Sequence, residues 1–410
     1  METDVLIAGG GLNGTALAVA LAGAGLSVAL VEPRAVAVQA DPAFDGRSYA
    51  FSHASVAVMR ALGLWPRLAA DAQEIRGIRV SDGRAGSRPS PLSLAFDGAE
   101  LDEGAMGHMV EDRHLRPALI DAADAAGVDR IGGVTVDDHR PGPAGVEATL
   151  SDGRTLRAAV LVGCDGGDSP TAARAGIRSV GWDYGQSSLV CALLHERPHG
   201  GIAHQLFLPE GPLAILPLTG HRSSIVWTER RATAEALQAA DDDAWLDRLR
   251  PRFGDFLGDI ALAGRRHVYP LRLKVAQRMV APRVALLGDA AHVVHPLAGQ
   301  GLNAGLKDTA ALAEVLVDAA RRGEDIGRDE VLARYQRWRR ADVVQLALAT
   351  DGFNRLFSND NPLVRAVRDA GLGLVDALPD LRRRFLREAA GVTGDLPRLA
   401  RGEALQAPLT

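Results

Sequence analysis

Cysteine is almost missing from this chain: Cys164 and Cys191 are the two present in 410 residues. Two cysteines cannot form a disulfide framework for a chain this long, which fits a reducing compartment and predicts a cytoplasmic protein. Metal-ligand spacing is missing as well. His292 and His295 stand three apart without further Cys or His ligands, so no metal is expected. Positive charge is in deficit, with a formal net charge of −5. That argues against a nucleic-acid partner, because collecting phosphates takes a basic face. No run is long and apolar enough to span a membrane. Residues 15–31 come nearest, but Gly23-Ala24-Gly25 interrupts them at a helix-to-strand turn, and the acidic start Met1-Glu2-Thr3-Asp4 is the opposite of a signal peptide's positive leader. Low-complexity segments and clear internal repeats are absent too. What is plentiful is glycine, at 45 residues, and apolar side chains, at 47%. At roughly 150 residues per domain, this length predicts two or three domains with substantial cores.

The glycines concentrate where they can do chemistry. Residues 4–8 form a short apolar run suited to a buried parallel strand, Gly9-Gly10-Gly11-Leu12-Asn13-Gly14 follows, and residues 15–22 have helix-forming composition. In such a strand-loop-helix, Gly9 makes the tight turn, Gly11 admits a pyrophosphate to the backbone, and Gly14 lets helix and strand pack closely. Leu12 opens the helix, whose free N–H groups receive the negative charge. A second apolar run, residues 27–31, ends at Glu32, where a carboxylate can bind the two hydroxyls of an unphosphorylated ribose. A mere glycine-rich turn would not explain strand, loop, helix, strand and acid in this order.

A second string lies far downstream. Residues 284–287 predict another buried strand, Gly288-Asp289 follows its carboxyl end, and Pro296-Leu297-Ala298-Gly299-Gln300-Gly301-Leu302-Asn303 leads into a helix over about 302–320. Asp289 can accept a hydrogen bond from a sugar-like chain, and Gly299 and Gly301 let backbone lie against a flat ring. The helix start at Leu302 and Asn303 would stabilise an anionic reduced ring by about 0.3–2 kcal/mol. Two grips on one long nucleotide point to non-covalent FAD.

The expected organisation is discontinuous. Residues 1–75, 100–180 and 276–345 are assigned to the nucleotide-binding domain, 76–99 and 181–275 to a strand-rich domain over the reactive end of the cofactor, and 346–410 to a helical C-terminal region. The fold class is therefore α/β: a discontinuous Rossmann-like FAD-binding domain with an interleaved, mainly β substrate domain.

Three strings carry a family resemblance. Gly9 to Gly14, Cys164-Asp165-Gly166-Gly167-Asp168-Ser169-Pro170, and Gly288-Asp289-Ala290-Ala291-His292 through Asn303 resemble the three fingerprints of the single-component, FAD-dependent aromatic hydroxylases with the para-hydroxybenzoate hydroxylase fold. Leu216-Pro217-Leu218, Val226-Trp227-Thr228, His295 through Gly305, and Asp351-Gly352-Phe353-Asn354-Arg355-Leu356-Phe357-Ser358 resemble the ubiquinone-biosynthesis branch, over nearly the whole chain. The resemblance implies NADH or NADPH as a transient reductant and dioxygen as co-substrate. It also implies a flavin C4a-hydroperoxide that hydroxylates a polyprenylated phenol. It carries Arg47 over as a flavin-contacting arginine, and Pro296, Gly299 and Gln300 as residues positioning ring and substrate. Asp165 and Arg113 are carried over as cofactor contacts.

Two positions depart from the pattern. Ala172 stands where relatives usually have arginine, with Arg174 two places on, and Asp112 stands where they often show Arg or Asn. Two other functions compete. One is hydroxylation of a soluble aromatic acid; the other is a non-catalytic FAD-binding scaffold in a ubiquinone-biosynthesis assembly. A flavin halogenase would carry a Trp-x-Trp pair, which none of the five tryptophans forms. Leu381-Arg382-Arg383-Arg384-Phe385-Leu386-Arg387 places four arginines among apolar residues, a composition expected of a helix resting on an anionic membrane at the inner face. A helix packed on the core with a basic solvated edge is the alternative.

Overall fold

Val5, Leu6 and Ile7 are wholly buried, as a parallel strand covered on both faces must be. They belong to a computed structural model that describes residues 2–35, 38, 43–83, 86, 94–100, 105–296, 299–357 and 386–405. The strands in chain order are β1 (Glu2–Ala8), β2 (Val28–Glu32), β3 (Ser48–Phe51), β4 (Gln73–Ile75), β5 (Gly77–Asp82), β6 (Leu94–Asp97), β7 (Gly107–Glu111), β8 (Asp129–Gly132), β9 (Val136–Pro141), β10 (Val146–Leu150), β11 (Thr155–Gly163), β12 (Ser179–His195), β13 (Ile202–Leu208), β14 (Gly211–Leu218), β15 (Arg222–Arg230), β16 (Ile260–Ala276), β17 (Val280–Ala281), β18 (Val284–Leu286) and β19 (His292–Val293). The helices are α1 (Leu12–Ala22), α2 (His53–Ala61), α3 (Trp65–Leu68), α4 (Asp112–Ala125), α5 (Pro170–Arg174), α6 (Arg231–Ala239), α7 (Asp242–Phe253), α8 (Gln300–Arg321) and α9 (Asp329–Phe357).

The first sheet runs β17-β18-β11-β1-β2-β8, with β10 and β9 continuing antiparallel from β11. β18, β11, β1, β2 and β8 are mutually parallel. Ala8 lies opposite both Gly163 and Val31, and Gly163 opposite Leu286, so these strands end together. Gly9, Cys164 and Gly288 thus emerge on one edge, the carboxyl edge where ligands bind in open α/β sheets. Helices α1 and α8 pack against each other on this sheet, inside a core that includes Leu17, Leu21, Leu306 and Leu316.

The second sheet, β19-β16-β12-β15-β14-β13-β5-β6, is antiparallel apart from the β13–β5 pair. Its strand pattern was expected, but α6 and α7 were not. Trp245, Leu246, Leu249 and Phe253 of α7 cover Leu189, Cys191, Leu193 and Trp227 on one face of the sheet. The signal was available: Asp241 caps α7, its side chain accepting from the Ala244 N–H at 2.8 Å, and the apolar residues that follow keep helical spacing. On the other face Ala192, Ala203 and Leu218 pack with Ile75, Met106, Met109 and Leu386. β19 pairs with β16, so the chain passes from the Gly288-Asp289 turn directly into the second sheet. α9 begins well before the helical region assigned to 346–410 and is continuous through residue 345. Residues 381–385 of the basic segment lie outside the described residues; Leu386, next to them, is buried.

Candidate functional site

Three glycines in the first loop meet three different constraints. Gly9 has a φ of +108°, and a Cβ there would lie 2.3 Å from the Cys164 carbonyl oxygen; a Cβ on Gly14 would lie 2.0 Å from the Gly9 oxygen. Both are glycine because protein backbone occupies the space. Gly11 is extended, with φ −67° and ψ −179°, and a Cβ there would meet nothing within 4 Å. The space in front of it belongs to a cavity of about 310 Å³ lined by Gly9, Gly11, Glu32, Arg34, Cys164 and Asp165, among others. Glu32 is held on its wall, accepting from the Gly10 N–H at 2.8 Å and from Arg34 Nε at 2.7 Å. Arg34 had no role in the sequence reading, although it follows the acid by two residues. Asp165 accepts from the Thr171 N–H at 2.9 Å and from the Ser169 hydroxyl, so it fixes the turn into α5 as well as lining the cavity. A dinucleotide's pyrophosphate and ribose fit this set. Gly11 leaves room for close backbone approach, the first turn of α1 offers N–H groups, and a braced carboxylate stands alongside.

The second loop sits beside the first. Gly288 has a φ of +61°, and a Cβ on it would lie 2.8 Å from Asn13 Nδ2; one on Gly305 would lie 2.0 Å from the same atom. Asn13 is therefore wedged between the turn and α8, a role sequence alone did not reveal, and its buried Oδ1 has no partner among the described residues. Asp289 is exposed at the edge of the sheet. Desolvation by the surrounding protein pushes its carboxyl above the usual range, against the pull of His292 and Arg272.

Beneath the turn lies a network that the sequence reading missed. Asp308, fully buried, accepts from the Gly288 N–H at 3.1 Å, meets His292 Nε2 at 2.5 Å and accepts from Arg339 Nε at 2.7 Å. Burial alone would raise the Asp308 carboxyl, but the charges of His292 and Arg339 and their hydrogen bonds outweigh it and hold it low. An acid in the apolar stripe of α8 was the only local hint.

At the reacting end, Gly299 is left-handed (φ +64°) at the N-terminus of α8. The Asn303 side chain is fully engaged: its Oδ1 accepts from the Ser52 N–H at 3.0 Å and the Ser55 hydroxyl at 2.6 Å, and its Nδ2 donates to the Ala50 and Gly299 carbonyls at 2.9 and 3.0 Å. Asn303 thus ties α8 to β3 and α2, leaving backbone as its means of touching a cofactor. Gln300, Gly301 and Leu302 are half-exposed along the same turn, and a Cβ on Gly301 would meet nothing within 4 Å. Pro296 lies against the second sheet, sharing a small cavity with His295, Gln205, Ala214, Val226 and Thr228.

Arg47 donates to Asp45 at 2.7 Å and lies 3.3 Å from Asp112. Asp112 also receives Arg116 at 2.8 and 3.0 Å and the Tyr49 hydroxyl at 2.9 Å. Burial works to raise its carboxyl, but Arg116 and then Arg47 bring it below the usual range. The acid at this unusual position gathers the cations beside it. Arg113 donates to Glu111 at 2.7 Å and stacks over Phe44 at 5.1 Å, so its guanidinium is committed within the protein. Ala172 is buried and Arg174 exposed. The middle fingerprint receives its cations from β16 instead, where Arg272 grips Asp168 through two 2.7 Å bonds and Lys274 donates to the Gly167 carbonyl.

Two glycine loops side by side on a parallel carboxyl edge, the second running through β19 into a largely antiparallel sheet, mark a dinucleotide-binding flavoprotein of the monooxygenase type. The FAD binding domain family matches residues 2–350, and the chain belongs to that family. It is 43% identical to a ubiquinone hydroxylase of Rhodospirillum rubrum, over 98% of this chain and 93% of that one. It is 35% identical to the 3-demethoxyubiquinol 3-hydroxylase of Escherichia coli, over 95% and 99% respectively. In structure it is similar to a p-nitrophenol 4-monooxygenase of Pseudomonas putida, with a TM-score of 0.78 at 20% identity over 95% of this chain and 98% of that one, a likeness of fold alone.

Proposed function

We propose that the protein is an FAD-dependent monooxygenase that hydroxylates the ring of a polyprenylated phenol in ubiquinone biosynthesis, consuming NADH or NADPH and dioxygen. The observation that carries this reading is the cradle at the carboxyl edge of the parallel sheet, where Gly11, with no protein atom within 4 Å of a Cβ, and Glu32 line one cavity, while Pro296 lies against the second sheet. Similarity to ubiquinone hydroxylases along nearly the whole chain supports the substrate class.

FAD, when bound, supplies the activation of dioxygen and the transfer of one oxygen atom to the ring, the other leaving as water. The protein's residues do the rest. Gly11 and Leu12 would receive the pyrophosphate on a loop that Gly9, at its turn, and Gly14, at the helix–strand contact, hold in shape, while Glu32 would hold the ribose and Asp289 the ribityl chain. Gly288, Gly299, Gly301, Leu302 and Asn303 present backbone to the flavin, while Arg47, Pro296 and Gln300 position ring and substrate. Asp165 and Arg113 are assigned to supporting contacts. Such groups act through position and electrostatics rather than acid–base chemistry. Residues 1–75, 100–180 and 276–345 act as the cofactor domain, and 76–99 with 181–275 as the substrate domain.

Among the described residues no helix is long and apolar enough to cross a membrane. Access to a lipid-tailed phenol is assigned to peripheral docking on an anionic inner-membrane surface, with other ubiquinone-biosynthesis proteins as further partners. The test is NADH or NADPH oxidation by the purified yellow protein with a short-chain prenylphenol, products being identified by mass spectrometry. Stimulated oxidation with a hydroxylated product is expected. Preference for a soluble aromatic acid would replace the substrate assignment, and no oxidation with any phenol would favour a scaffold.

A further inference from the structure

His295 is buried to 1% exposure, and neither of its ring nitrogens has a hydrogen-bond partner among the described residues. Leaving both nitrogens of a buried imidazole unpaired is costly unless something outside the protein completes them. The ring is fixed edge-to-face against Tyr184, with centroids 5.4 Å apart and planes at 76°. Tyr184 does not complete it: its hydroxyl donates to Asp351 at 3.0 Å, Asp351 also receives Arg355 at 2.9 Å, and no hydrogen bond joins either residue to the imidazole. The imidazole borders the small cavity it shares with Pro296, Gln205 and Thr228. That cavity has a volume of about 10 Å³, near the least that admits one water-sized group such as a hydroxyl. Thr228 meets the Ser188 hydroxyl at 3.2 Å, so the cavity's other hydroxyl already has a partner. Burial lowers the His295 pKa to about 4 despite the opposing charge of Asp351, so the ring is neutral at ordinary pH, with one nitrogen free to accept.

We propose that His295 recognises the substrate's ring hydroxyl, its unprotonated nitrogen accepting the phenolic O–H in the cavity beside Pro296 and thereby fixing which ring carbon is hydroxylated. This rests on the phenol-hydroxylase reading above. An accepted hydrogen bond leaves more electron density on the phenolic oxygen and ring, which favours attack by an electrophilic oxygen. The bond is direct, so His295 is a catalytic residue rather than a positioning one.

The experiment compares a short-chain prenylphenol with its methyl ether, which keeps the shape and loses the donor. Affinity is read from the change in flavin absorbance on titration, in preparations of matched FAD content. The parent should bind the phenol roughly tenfold tighter than the ether, the difference one well-made hydrogen bond supplies. In His295→Phe that ratio should fall to within about twofold and the product should scatter over ring positions, while His295→Gln, which keeps an acceptor, should hold part of the preference. A His295→Phe protein with the parent's ratio and product pattern overturns the proposal. If His295→Phe fails to retain FAD, parent-like ratios in both His295→Gln and His295→Ala do so. A parent stimulated by no phenol sinks the functional reading as well, an outcome distinguishable because it appears before any variant is made.

Discussion

Gly11 offers a way to separate cofactor binding from folding. In Gly11→Ala the added methyl meets no protein atom within 4 Å, and the backbone, at φ −67°, is one that alanine adopts freely. Alanine is the poorer N-cap by several tenths of a kcal/mol, but it also removes unfolded-state freedom worth about 0.4–1 kcal/mol. The two nearly offset, so the stability of the FAD-free protein should change by less than about 0.5 kcal/mol. Binding should suffer far more, because the same methyl stands where a pyrophosphate must approach. Overfilling a close-packed contact costs about 1–3 kcal/mol, or roughly 5- to 150-fold in affinity. Gly14→Ala is the counterpart: its Cβ would lie 2.0 Å from the Gly9 oxygen and 3.1 Å from Cys164 Cβ, where backbone cannot step aside. Its FAD-free form should lose about 1–3 kcal/mol or more. Urea midpoints of the FAD-stripped proteins and quenching of FAD fluorescence on titration give the two quantities. A Gly11→Ala protein that binds FAD as the parent does, or unfolds as early as Gly14→Ala, would refute the reasoning; Gly11→Val should bind FAD more weakly still.

Asp289→Ala should weaken FAD binding by about 1.5–3 kcal/mol, the range for a hydrogen bond to a charged group, and a titration with no weakening would make Asp289 a purely structural residue. Arg339→Met strips the buried Asp308 carboxylate of its guanidinium partner and should cost about 3–5 kcal/mol in urea unfolding; a loss under about 1 kcal/mol would deny the network its role. Because the folded Asp308 carboxyl is held low, its stabilisation is present above the unfolded-state value of about 3.9 and is lost as pH falls from there through the folded value. The parent's urea midpoint should therefore drop on acidification below about pH 4, and Asp308→Asn should show a shallower drop. Flotation with anionic vesicles at low and high salt tests the basic segment: the parent should float at low salt, and Arg383→Glu/Arg384→Glu should not.

The cofactor cradle was legible because its demands are local. A strand, a turn at φ +108°, a close approach and a helix start succeed one another between Glu2 and Ala22, and each demands a residue type at a set offset from the last. Glu32 follows for the same reason, since β2 pairs beside β1 and ends level with it. The helices α6 and α7 were legible and overlooked, their 3.6-residue spacing lying between runs of strong strand pattern.

What sequence determined by itself, then, was the order of elements, the place of each glycine turn and the kind of cofactor those turns accept, because bond sterics and hydrophobic periodicity act between neighbours in the chain. Only the tertiary structure decided which distant groups complete each other. Asn303 closes on Ser52 and Ser55, Asn13 fits between Gly288 and Gly305, and Asp308 gathers His292 and Arg339. It also decided that His295 reaches its cavity with neither nitrogen paired among the described residues. A buried polar side chain announces that a partner is needed; periodicity tells which face it is on, but the partner's identity depends on how the sheets and helices pack, and that is a property of the whole fold.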